Sequence, residues 1–159
     1  MLLKGKKIVL GVTGGIAVYK AVDLVRRLRK QGAEVRVVMT EHARQFVTPL
    51  TFKEISGNAV ATSMWNSNQE FNVEHIALAN WADVFVVAPA TANIIAKMAH
   101  GLADDLLSTT LLAAQAPIIV CPAMNTGMYE NALTQENITC LKKHGVTVMA
   151  PATGFLACC

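Results

Sequence analysis

A chain of 159 residues is long enough for one domain with a sizeable core and short for two, and its 53% hydrophobic and 16% charged side chains call for heavy burial. A parallel sheet covered on both faces would supply that burial, and so would a large subunit interface; both are expected. The net charge of +3 is concentrated towards the N-terminus, in Lys4, Lys6, Lys7, Arg26, Arg27, Arg29 and Lys30. No aromatic residues interleave with these cations as a single-strand-binding surface would need, so they read as a solvated face and nucleic acid is not an expected partner.

The four cysteines, Cys121, Cys140, Cys158 and Cys159, lack both zinc-like pairing and the density of a secreted disulfide scaffold, which favours a reducing cytoplasm. Adjacent Cys158 and Cys159 would form a strained bridge and are read as thiols. The N-terminus has lysines but no long apolar segment and no small-residue cleavage site, so no signal peptide is expected. The uncharged run from Leu106 to Tyr129 is divided by Pro117 and Pro122 and interrupted by Gln115, which argues against a membrane span.

In chain order, Ile8 to Val12 is a continuous apolar run, hence a central strand buried on both faces, broken by Thr13-Gly14-Gly15. Ile16, Val18, Val22, Val25 and Leu28 recur at nearly helical spacing, predicting an amphipathic helix over 16–30 that stops near Gly32. Glu34 to Met39 alternates into a second strand ended by Thr40, completing a right-handed parallel βαβ unit. Glu41 to Val47 looks helical, Pro49 reads as a breaker, Phe52 to Ser56 as a turn of helix, and Gly57 to Asn72 as a loop.

Helical spacing resumes from Val73 to Trp81 and leads into a third strand, Asp83 to Pro89. Two helices follow, Thr91 to His100 and Asp104 to Ala114, separated at Gly101. Ile118 to Cys121 is the next strand, after which Pro122 to Tyr129 reads as a turn. A helix over 131–144 and a last strand over 147–150 complete the pattern. Five strands alternating with helices, without repeat or linker, predict one α/β domain over 1–159. Its expected architecture is a three-layer, doubly wound parallel sheet of flavodoxin-like or Rossmann-like order.

Such sheets bind ligands at the carboxyl ends of their strands. Gly14-Gly15 opening a helix suits an anion, because glycines admit close backbone approach and a helix start offers N–H groups. A plain tight turn is the competing reading. The pattern is not GxGxxG, and the second strand ends in Thr40 where a ribose hydroxyl would need an acid; this disfavours NAD and suits a mononucleotide such as FMN. Thr40, Thr91 and Asn93 add neutral donors, although each is also an ordinary helix cap.

Asn125 sits between Met124 and Met128 in the charge-free stretch, able to hold a polar group without carrying charge; its plain reading is an Asn turn with the methionines filling core. Of the histidines, His42, His100 and His144 read as surface residues. His75 opens an apolar helix, where a structural role competes with a chemical one. Cys158 is a buried thiol, part of a frayed end, or a proton donor.

Gly14-Gly15-Ile16, Pro89-Ala90-Thr91-Ala92-Asn93, Pro122-Ala123-Met124-Asn125-Thr126-Gly127-Met128, His75 and Ala157-Cys158 together resemble the flavin-containing cysteine decarboxylases along the whole chain. The glycine loop alone is weak; the stretch from Pro122 to Met128 with an upstream histidine is more specific. The resemblance implies FMN held by Gly14, Gly15, Ile16, Thr40, Ala90, Thr91, Ala92, Asn93 and Ala123. It implies substrate binding by Asn125, with Met124 and Met128 beside it, His75 as catalytic base or proton relay, and Cys158 as proton donor. After the cysteine the family pattern has Gly, where this chain has Cys159.

The implied reaction is the conversion of 4′-phosphopantothenoylcysteine to 4′-phosphopantetheine by transient thiol oxidation, loss of CO2 and enethiol reduction. The implied assembly is a trimer, or a dodecamer of trimers, with His75 serving a site shared with a neighbouring subunit. A peptidyl-cysteine oxidative decarboxylase of the same fold and a non-catalytic regulatory subunit are the alternatives. A flavin prenyltransferase would want basic residues that the strand-end loops lack.

Overall fold

The computed structural model describes residues 1–65 and 74–151. Its centre is β1 (Lys7–Val12), whose residues from Ile8 to Val12 are all buried, as expected of a strand covered on both faces. β2 (Glu34–Met39) pairs with it in parallel, Lys7 opposite Glu34 and Val12 opposite Met39. On the other side β1 pairs with β3 (Val84–Ala90), which pairs with β4 (Ile118–Pro122), which pairs with the two-residue β5 (Thr147–Val148). The order β2-β1-β3-β4-β5, parallel throughout, is the doubly wound flavodoxin-like arrangement that the alternation of elements predicts.

Strand alternation sends side chains into two cores. Val9, Val38, Phe85, Val87 and Val120 pack on one face with α3 (Glu74–Trp81), α4 (Ala92–His100), α5 (Leu106–Ala113) and α7 (Ala132–Lys143). Ile8, Leu10, Val12, Val35, Val37 and Met39 face α1 (Val18–Lys30) and α2 (Pro49–Ser56) on the other. α1 buries Val18, Ala21 and Val25 and places Arg27, Arg29 and Lys30 in its last turn, where cations complement the helix dipole. α5 comes close to β1 because residue 11 is glycine: a Cβ there would lie 2.5 Å from Leu107 Cδ1.

Several expected boundaries move. Pro49 begins α2 rather than breaking a helix, since an unpaired first-turn N–H costs proline nothing. Only Ala43–Gln45 of the stretch 41–47 is helical, as a single 3₁₀ turn. The turn after β4 contains a short helix, α6 (Thr126–Glu130), and β5 is shorter than the expected 147–150. Of the expected loop 57–72, residues 66–72 lie outside the described residues; Ala61 bridges to Val38. Among the described residues no helix is long and apolar enough to cross a membrane, and Cys121 and Cys140 are free thiols.

Candidate functional site

The order of the sheet reverses at β1, so the carboxyl ends of β1 and β3 flank the crevice where doubly wound sheets take ligands. Gly14, Gly15 and Ile16 leave β1 on one side. Thr91, Ala92 and Asn93 leave β3 on the other, with Ala90 fully buried beneath them. Thr40 N–H donates to Val12 O at 3.1 Å and Ala123 N–H donates to Ala90 O at 3.0 Å. Hydrogen bonds therefore join the ends of β2 to β1 and of β4 to β3. The sequence-predicted residues Gly14, Gly15, Ile16, Thr40, Ala90, Thr91, Ala92, Asn93 and Ala123 belong to one continuous edge.

The local chemistry of this edge is neutral. None of those residues carries charge, and the chain stays uncharged from Leu106 to Tyr129. Neither α1 nor α2 starts with a side-chain cap or an acid in its first turn, whereas Thr91, Asp105 and Asn131 cap α4, α5 and α7. A helix start without such a cap suits an anion, although at α1 the Val18 N–H already donates to Gly15 O and the Lys20 N–H to Ala17 O, both at 3.0 Å.

The glycines divide their work. A Cβ on Gly14 would sit 2.4 Å from His42 Cβ and 2.8 Å from the His42 carbonyl carbon, so the turn after β2 presses on this position. A Cβ on Gly15 would meet nothing within 4 Å among the described residues, leaving room beside the backbone there. An anionic group such as a phosphate suits the helix start without a side-chain cap and the glycine turn. The loops after β3 and β4 offer neutral surroundings, whereas the loop after β2 carries Glu41 and Arg44. His42, read from sequence as a surface residue, is exposed and also fixes the glycine turn. Only the distance across the fold could reveal that second role.

Beside the flavin-type loops, Asn125 is exposed and its side chain accepts a hydrogen bond from Gly127 N–H at 2.8 Å, capping α6. Met124 is half-buried and packs on the adjacent core, but Met128 is 51% exposed, so the plain reading of both methionines as core filler holds for Met124 alone. Cys121 points into the opposite core, where burial raises its thiol pKa.

His75 is the second described residue of α3 and is half-buried. The last residue of that helix, Trp81, lies under the Arg36 guanidinium at 4.2 Å from its ring centre, with Lys7 Nζ at 5.9 Å. Lys7 opens β1, so Trp81 marks the amino end of the sheet and His75 lies at the helix end away from it. Glu74 beside it has its carboxyl pKa raised by burial. Cys158 lies outside the described residues. His100 and His144 are exposed, in keeping with their reading as surface residues.

Comparison with known proteins agrees with this geometry. A family model described as Flavoprotein matches residues 2–159. The Coenzyme A biosynthesis bifunctional protein CoaBC of Haemophilus influenzae is 52% identical over 158 residues; these make up 99% of this chain and 40% of that relative's length. The FMN-dependent cysteine decarboxylase SpaF superposes with a TM-score of 0.87 at 36% identity, over 92% of this chain and 84% of its own. A PPC decarboxylase mutant complexed with pantothenoylaminoethenethiol superposes with a TM-score of 0.83 at 32% identity, over 96% of this chain and 85% of its own.

Proposed function

The chain belongs to the flavoprotein family, and on that premise we propose that it is the decarboxylase unit that converts 4′-phosphopantothenoylcysteine to 4′-phosphopantetheine with FMN in coenzyme A biosynthesis. The observation that carries this reading is the neutral strand-end crevice, with an uncapped α1 and an open Gly15 on one wall and the Thr91 loop on the other. The chain's identity to the bifunctional relative supports the substrate assignment.

FMN, when bound, supplies a reversible two-electron sink, which lets an ordinary cysteine carboxylate leave without an unstabilised carbanion. Gly14, Gly15 and Ile16 hold its phosphate end through backbone N–H groups. Thr40, Ala90, Thr91, Ala92, Asn93 and Ala123 contact it from the neighbouring strand ends. Asn125 orients the substrate carboxylate, with Met124 and Met128 as apolar neighbours that exclude water. His75 accepts the proton released as the substrate thiol carbon is oxidised, and Cys158 returns a proton to the enethiol carbon. The enzyme acts in the cytoplasm as a trimer or a larger assembly of trimers, with its sites at subunit interfaces.

The test is to incubate the purified flavin-loaded protein with 4′-phosphopantothenoylcysteine and identify the product by mass spectrometry. Formation of 4′-phosphopantetheine is expected. Arrest at the enethiol would favour a peptidyl-cysteine-type oxidative decarboxylase, and a colourless protein that takes up no flavin would favour a regulatory subunit.

A further inference from the structure

The geometry points to Thr13 as a positioning residue that holds the two walls of the crevice at a fixed separation, an inference that rests on the flavin reading above. Thr13 is the last residue before Gly14 and is 2% exposed, so its hydroxyl is closed off from solvent and acts through its partners. That hydroxyl donates to Pro89 O, 76 residues away, and accepts from Thr91 N–H at 3.1 Å. The Thr13 N–H also donates to Pro89 O, at 3.3 Å. Thr91 in turn accepts from Ile94 N–H at 3.2 Å through its own hydroxyl, which caps α4.

One hydroxyl therefore links the glycine turn at the start of α1 to the turn that starts α4, across the point where the sheet order reverses. Both of its hydrogen-bonding capacities are used, as donor and as acceptor. A valine at this position would keep the shape but leave Pro89 O short of one donor and Thr91 N–H without its protein acceptor, at a position buried at Thr13 and Pro89 and half-buried at Thr91. The inexpensive relaxation is for the walls to part, because each is a loop while the strands beneath remain paired. The cofactor phosphate would then meet Gly14, Gly15 and Thr91 at mismatched distances.

Stripped protein is titrated with FMN, following quenching of flavin fluorescence and the visible spectrum of the bound flavin, for the wild type, Thr13→Val and Thr13→Ser. Thr13→Val should weaken FMN binding by about tenfold or more and alter the bound-flavin spectrum; Thr13→Ser, which keeps the hydroxyl, should bind within about threefold of wild type. Thr13→Val binding as tightly as wild type overturns the positioning role, and so does Thr13→Ser binding as weakly as Thr13→Val. A wild type that takes up no FMN overturns the flavin reading itself and this role with it. Amide exchange in the wild-type apoprotein decides the matter even if Thr13→Val does not fold: slow exchange at Thr91 N–H is expected, and exchange as fast as in an unstructured peptide overturns the link.

Discussion

Asn125 Oδ1 accepts from Gly127 N–H at 2.8 Å, so the carbonyl end of this amide caps α6, while its amino end makes no hydrogen bond among the described residues. Aspartate at this position keeps the acceptor and exchanges a donor for a negative charge. Asn125→Asp should therefore leave the thermal midpoint nearly unchanged while raising the KM for the carboxylate substrate by roughly tenfold or more. Asn125→Ala removes the cap as well and should cost about 1 kcal/mol of stability. Thermal melts and steady-state kinetics on both variants separate capping from recognition. An unchanged KM in Asn125→Asp contradicts the carboxylate contact.

Gly14 and Gly15 are adjacent but should respond differently to alanine. At Gly14 the new methyl would lie 2.4 Å from His42 Cβ, and 2.8 Å from a backbone carbon that cannot rotate away. Gly14→Ala should lose about 1–3 kcal/mol of stability together with flavin affinity. At Gly15 nothing among the described residues lies within 4 Å of the new methyl. Gly15→Ala should melt like the wild-type apoprotein yet bind FMN more weakly, because the methyl would fill open space that the proposed site gives to the cofactor. Paired melts and FMN titrations check this, and a Gly15→Ala variant with unaltered affinity would remove the backbone contact from the proposed site.

The strands and the long helices are legible in the sequence because burial imposes a period: Ile8 to Val12 is continuously apolar, and Val18 and Val25 of the predicted stripe fall on the buried face of α1. Ile16, read as the start of that stripe, precedes the helix and is 59% exposed. The strand-end loops are legible too, since each apolar run stops at glycine, threonine or proline. What the sequence does not expose is contact between loops distant along the chain. Thr13 looks like any strand-ending threonine until Pro89 and Thr91 are seen around its hydroxyl, and Gly14 looks like one turn glycine among several until His42 is seen against it. Pro49 misleads for a local reason, because proline is favourable at a helix start and unfavourable inside one.

Glu74, beside His75, gives a pH-dependent signature. Burial raises its carboxyl pKa above the ordinary value of 4.5, so the folded chain holds this proton more tightly than the unfolded chain. Its favourable contribution is fully present below 4.5 and fades as the pH rises through the folded value. Glu74→Gln should match the wild type in acid below that value and be more stable at neutral pH. Solvent screening at this partly exposed position limits the gain to on the order of a few tenths of a kcal/mol. Denaturant melts at several pH values check the sign; a Gln variant less stable at neutral pH would show that the carboxylate has a favourable partner instead.

His75 separates chemistry from scaffold. It shares α3 with Leu78 and Ala79, which carry the buried face of that helix, while His75 itself is only half-buried. Asparagine preserves a polar side chain there, so His75→Asn should change stability by no more than about 0.5 kcal/mol. It lies outside the strand-end loops assigned to the cofactor, so the purified variant should retain its flavin. If His75 accepts the substrate's proton, turnover should fall by about a hundredfold or more, with substrate recovered unoxidised, because no other group in the proposed site is assigned to that transfer. Product mass spectrometry with flavin content measured on the same sample distinguishes the cases. Undiminished turnover ends the catalytic role, and joint loss of flavin and turnover would make His75 part of the cofactor site rather than a base.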